Sequence, residues 1–90
     1  MLYQLRFSKE AQQQLTRLPG NIRQRVRRLI ATLTHNPRPP EAKRMEDDLA
    51  DYYRIRLENY RVIYTVDDDI VLVEIIRTMK RSLKTYEDLP

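Results

Sequence analysis

The spacing of apolar residues changes once along this chain, and the change decides the fold class. Ala11, Leu15 and Leu18 form one stripe at helical spacing, and Ile22, Val26, Leu29, Ile30 and Leu33 form a wider one. From Tyr53 onward the period is two: Tyr53, Ile55 and Leu57 alternate with Arg54 and Arg56. A period near 3.6 marks amphipathic helices, and a period of two marks half-buried strands. A helical stripe must lie on something, and the sheet formed later in the chain supplies the surface. The class is therefore α+β.

Local signals set the boundaries. Residues 2–7 read as a short strand, after which Ser8 offers an N-cap oxygen. Helices are expected over 9–18 and 22–35, separated by Pro19-Gly20, with Asn21 capping the second. Asn36-Pro37 ends that helix, and Pro39-Pro40 prevents an early restart. Residues 36–51 read as irregular, with Glu46, Asp47, Asp48 and Asp51 as an acidic loop. Glu58-Asn59 then fits a tight turn, since Asn tolerates positive φ. Residues 60–66 form a second strand of the meander, Asp67-Asp68-Asp69 a second turn, and 70–77 a third strand. That last strand is apolar on both faces and so central. Residues 82–88 form a last short helix or a tail. The expected fold is a two-helix hairpin packed on one face of a small, mainly antiparallel four-stranded sheet, with the other face free for function.

Length and composition exclude much else. Ninety residues are read as one domain over 1–90, and a chain this short buries only ~60% of its unfolded surface. There is no room for a Rossmann or barrel enzyme with its own cofactor. Cysteine is absent and His35 is the single histidine, which excludes disulfides, thiol nucleophiles and a His-rich metal site. No apolar run of membrane length and no signal peptide is present, so the expected compartment is the cytoplasm, with no membrane partner.

Charge is unevenly spread. Residues 1–45 hold ten Lys/Arg and two Asp/Glu, a balance of +8, and residues 46–90 hold seven and eleven, a balance of −4. Together they give the net +4. Arg23, Arg25, Arg27 and Arg28 face away from the apolar stripe of the second helix, as a solvated face or as a surface for a polyanion. Arginine outnumbers lysine thirteen to four, and guanidinium forks match phosphate geometry.

The strands carry the sharper signal. A two-residue turn at Glu58-Asn59 pairs Leu57 with Tyr60, Arg56 with Arg61 and Ile55 with Val62. Arg54 and Arg56 then share one face, and Arg61 stands directly across from Arg56. Like charges so placed cost up to ~1 kcal/mol. The cost makes sense if a polyanion crosses the sheet; otherwise the arginines pair with acids of the 46–51 loop. Arg77, Lys80, Arg81, Lys84 and Tyr86 follow at the C-terminal end, where a tyrosine ring either stacks on an unpaired base or docks the tail on the core.

These residues give the chain a family resemblance. Tyr53-Arg54-Ile55-Arg56-Leu57, then Tyr60-Arg61-Val62-Ile63-Tyr64, an acidic turn, the apolar strand 70–76, and Lys80-Arg81 with Tyr86 beyond resemble the RelE/ParE toxin superfamily, the toxin halves of bacterial toxin–antitoxin pairs. Arg6-Phe7-Ser8-Lys9-Glu10-Ala11 fits the strand-to-helix start of that family. The resemblance covers essentially the whole chain. It implies the RelE-like microbial RNase fold and a cognate antitoxin that wraps the toxin. For the RelE branch it implies ribosome-dependent mRNA cleavage; for the ParE branch, gyrase poisoning. RNA-cleaving members carry basic residues at the positions of Arg54, Arg56 and Arg61, and an Arg and a Tyr at those of Arg81 and Tyr86. This full set favours the nuclease branch, with ribosome and mRNA as partners and no cofactor. A gyrase poison and a non-catalytic nucleic-acid-binding module stay open as alternatives.

RNA cleavage through the neighbouring 2′-OH needs in-line positioning, stabilisation of the phosphorane, a proton acceptor and a proton donor. Arginine, with a pKa above ~12, is a poor general base. Arg54 and Arg56 are therefore assigned to backbone positioning, with Arg77, Lys80 and Lys84 as further substrate-binding residues. Arg61 and Arg81 are assigned to phosphorane charge, and Tyr86 to base stacking or proton transfer. His35, at the end of the second helix, suits terminal carbonyls better than catalysis. Lys80, Lys84 and Glu74 are the candidates for proton acceptor.

Overall fold

The computed structural model describes residues 2–80. Its order is β1 (Gln4–Phe7), α1 (Lys9–Arg17), α2 (Gly20–Leu33), β2 (Lys43–Arg44), a 3₁₀ turn at Asp47–Leu49, β3 (Tyr52–Leu57), β4 (Tyr60–Asp67) and β5 (Leu72–Lys80). The five strands form one sheet in the order β1-β5-β4-β3-β2. β1 runs parallel to β5, and the other neighbours are antiparallel. The expected four strands are present, and β2 is a fifth. It lies within the segment read as irregular, and pairs Lys43 with Arg54 and Arg44 with Tyr53. Two residues are too few to show a period.

Both helical stripes enter the core. Ala11, Leu15 and Leu18, then Ile22, Val26, Ile30 and Leu33, pack on Ile55, Val62, Tyr64, Val73 and Ile75 of the sheet. The Ser8 hydroxyl caps α1 by accepting from the Ala11 N–H at 3.0 Å, and donates to the Ile76 carbonyl at 2.8 Å. The second helix starts earlier than expected. Pro19 is its N-cap and makes no side-chain bond, so Asn21 lies inside the helix. Proline has no N–H to satisfy and fixes φ, which suits it to a helix start.

The hairpin register is as read from the sequence: Leu57 pairs with Tyr60, Arg56 with Arg61, and Ile55 with Val62. The left-handed residue of the turn is Glu58, at φ 56°, and not Asn59. Glu58 is also held by Arg25 of α2 at 3.0 Å. The strand after the acidic turn starts at Leu72 and runs to Lys80, shifted from 70–77. Asp67 Oδ1 accepts from the N–H groups of Asp69 and Ile70, and this Asx-type turn keeps Ile70 out of the strand. A bulge interrupts β5, because Tyr64 pairs with Ile75 but Ile63 with Arg77. Among the described residues no helix is long and apolar enough to cross a membrane.

Candidate functional site

Tyr53, Ile55 and Leu57 turn toward the helices, so Arg54 and Arg56 are displayed on the opposite face of β3. Arg56 is exposed and Arg54 half-buried. β2 places Lys43 directly across from Arg54. Just before it, the chain brings Glu41 to the same place. Glu41, Lys43, Arg54 and Arg56 line a cleft of about 310 Å³. Three cations around one carboxylate give phosphate-binding forks beside a group able to accept a proton. Sequence reasoning missed Glu41 and Lys43.

The rest of this face is less open than expected. Arg61 stands across from Arg56 and from Met79, yet is only 4% exposed. Its neighbour on the same face, Ile63, is fully buried. Arg61 thus stands across from the cleft residue Arg56 but within packed structure, which corrects its reading as a side chain on an open face.

Arg77 departs further. The bulge sets it opposite Ile63, it is 5% exposed, and its guanidinium lies 3.2 Å from Glu10 Oε2 of α1. It also donates to the Ile76 carbonyl at 2.9 Å. These bonds tie β5 to α1 and do not aim Arg77 at the cleft. Lys80 pairs with Tyr60 and lines a separate cleft with Gln14, Arg17 and Leu18, on the helix side of the sheet. Glu74 sits between Arg6 and Thr65. Thr65 pairs in turn with Tyr52, so β4 stands between Glu74 and β3, two strand spacings or about 10 Å. The structure therefore does not bring Arg77, Lys80 or Glu74 to Arg54 and Arg56. Arg81, Lys84 and Tyr86, and the expected helix or tail over 82–88, lie outside the described residues. His35 is exposed, and its backbone N–H closes the end of α2 on the Thr32 carbonyl at 3.1 Å. Among the described residues, ion pairs join Arg25 to Glu58, Arg38 to Asp68 and Arg77 to Glu10.

A second polar cluster lies on the helix side of β3. Arg38 donates to both carboxylate oxygens of Asp68, at 3.2 and 2.8 Å, and to the Tyr53 hydroxyl at 2.9 Å. Its guanidinium stands 5.5 Å from the Tyr53 ring centroid, and that ring stacks on Tyr64. Tyr3 donates to Asp68 at 2.6 Å. The bond from Arg38, followed by that from Tyr3, holds the Asp68 carboxyl below the usual carboxylate range. Tyr64 donates to the Pro37 carbonyl at 2.7 Å, and burial, more than any neighbouring charge, pushes its phenol up.

The fold and this surface can be set beside known proteins. The family model described as the ParE toxin of type II toxin–antitoxin systems matches residues 5–83. The chain belongs to the ParE toxin family. It is accordingly the toxin of a type II toxin–antitoxin system, within the wider RelE/ParE superfamily. The structures it resembles include RelE toxins and, with TM-score 0.76 and 16% identity over 88% of this chain and 99% of that one, a YoeB/ParE toxin from Agrobacterium tumefaciens. The Mycobacterium tuberculosis toxin–antitoxin complex RelBE2 matches with TM-score 0.79 and 29% identity over 90% of this chain and 100% of that one. The archaeal RelE–RelB complex from Pyrococcus horikoshii matches with TM-score 0.78 and 28% identity, covering 92% and 99%. The isolated Escherichia coli RelE toxin matches with TM-score 0.76 and 28% identity, covering 94% and 93%. A search of curated proteins finds no match. The chain thus has the RelE-like fold.

Proposed function

We propose that this toxin is a ribosome-dependent mRNA endoribonuclease that arrests translation and is held inactive by a cognate antitoxin. The observation that carries the proposal is the cleft in which Glu41 stands among Lys43, Arg54 and Arg56. The likeness to RelE toxins, two of them in complex with antitoxins, supports it. In the reaction the 2′-oxygen bonds to phosphorus and the bond to the 5′-oxygen breaks. The products are a 2′,3′-cyclic phosphate and a 5′-hydroxyl. Glu41 accepts the 2′ proton, and Arg54, Arg56 and Lys43 hold the phosphate in line. Arg61 and Arg81 carry the charge of the phosphorane, and Tyr86 stacks on the base or returns a proton to the leaving oxygen.

Primer extension on translated mRNA after brief induction tests the reading. The expected result is cuts within translated sequence, lost in Arg54→Ala/Arg56→Ala. Intact mRNA with DNA-damage signalling supports instead a gyrase poison, a second reading favoured by the family match itself. RNA binding without scission supports a non-catalytic module. Glu41→Gln removes the proton acceptor while keeping the size and shape of the side chain. It should lower the single-turnover rate about 10²-fold or more, with ribosome affinity held.

A further inference from the structure

The cleft is built partly from a segment with little regular structure of its own. Glu41 lies between the end of α2 and the two-residue strand β2, and Lys43 is the first residue of that strand. Something must fix where this segment crosses from the helix side of the sheet to the face that carries Arg54. Its entry is anchored by the buried Tyr64 hydroxyl on the Pro37 carbonyl. The next residue is Arg38, locked by the Asp68 carboxylate and the Tyr53 hydroxyl. Only Pro39 and Pro40 separate Arg38 from Glu41. Two prolines fix two φ angles, and each also restricts the residue before it. The Ala42 N–H closes back onto the Pro39 carbonyl at 3.0 Å. A displacement of Arg38 is thus passed to Glu41 through a stiff link and not absorbed in a loop.

We propose that Arg38 and Asp68 form a clasp whose function is to position Glu41 and Lys43 against Arg54 and Arg56. Both are positioning residues, since neither lines the cleft. The catalytic consequence rests on the nuclease reading, whereas the mechanical claim does not. An exposed ion pair adds little to stability, and the side chains of Arg38 and Asp68 are 42% and 56% exposed. Four hydrogen bonds and a ring contact on one such pair therefore point to placement more than to stability. Misplacing a catalytic group by ~1 Å can cost ~10² in rate, so the effect of a loose clasp is large where its effect on stability is small.

The test uses the full-length toxin with Asp68→Asn, Asp68→Glu, Pro40→Gly and the double variant Asp68→Asn/Pro40→Gly. Two readouts are needed. Amide hydrogen exchange at Ala42 and Met45 reports whether the clasp holds the segment. Single-turnover cleavage on programmed ribosomes, with affinity measured separately, reports whether placement matters to chemistry. Asp68→Asn should speed exchange at both amides about tenfold while the amides of β4 and β5 are unchanged. It should lower the cleavage rate about tenfold or more with affinity within about twofold. Asp68→Glu should recover part of the rate. The double variant should be no worse than the poorer single variant, because both act on one link. Unchanged exchange in Asp68→Asn overturns the clasp. Faster exchange with an undiminished rate overturns its role in positioning. If wild-type protein does not cleave, the nuclease reading fails, and the clasp stands or falls on exchange alone.

Discussion

Arg61 shows how far a residue's role is set by what surrounds it. Its place across from Arg56 follows from a two-residue turn, and the turn was legible in Glu58-Asn59. Its burial was not, because alternation says which face a side chain takes and nothing of what covers that face. The burial changes the experiment. Arg61→Ala removes a packed stem as well as a charge, and truncating a long buried side chain costs ~2–4 kcal/mol. Arg61→Met keeps most of the stem, and its thermal midpoint should lie closer to wild type than that of Arg61→Ala. Both should lower single-turnover cleavage about 10²–10³-fold if the guanidinium stabilises the phosphorane. A normal rate in Arg61→Met would reduce Arg61 to a packing residue. Arg77 carries the same lesson. Its sequence neighbourhood is cationic, but a bulge and Glu10 turn it into a strut between β5 and α1.

Among the elements, the helices, β1 and the three-strand meander were readable, and the two-residue strand β2 and the bulge in β5 were not. The α1 and α2 stripes enter the core, and the β3–β4 register follows from alternation. β2 escaped because two residues cannot show a period, and with it went Lys43 and Glu41. The bulge in β5 escaped because a strand apolar on both faces looks the same in either phase. The join between β1 and α1 was readable only by half. Ser8 was identified as a cap, but its hydroxyl also donates to the Ile76 carbonyl. This second bond predicts an order among variants. Ser8→Ala should lose about 1–2 kcal/mol, the cap plus a cross-element bond. Ser8→Asp retains an acceptor for the Ala11 N–H but sets an oxygen against the Ile76 carbonyl, so it should not recover that loss. Ser8→Thr supplies both functions and should stay near wild type. Urea denaturation of the four proteins checks the order.

For the molecule as a whole, the clasp predicts a response to acid. The Asp68 carboxyl titrates lower in the folded chain than in the unfolded one, where it is near ~3.9. The unfolded state therefore binds the proton first, and the Asp68 contribution is lost as pH falls. The difference in urea midpoint between wild type and Asp68→Asn should be constant from neutral pH down to about pH 5, and should shrink below about pH 4 as the folded carboxyl is protonated. A gap that persists unchanged at pH 3 would mean the carboxylate charge is not what holds Arg38. At this scale the pairing of β1 with β5 also has a consequence in time. Gln4 bonds into the sheet only beside Leu72, which is synthesised 68 positions later. At ~5–20 residues per second, the first strand waits roughly 3 to 14 s for its partner. Until then both helical stripes lie without a finished sheet beneath them. Until β5 has emerged the core lacks Val73 and Ile75 and cannot close, so the growing chain spends those seconds without a finished toxin fold.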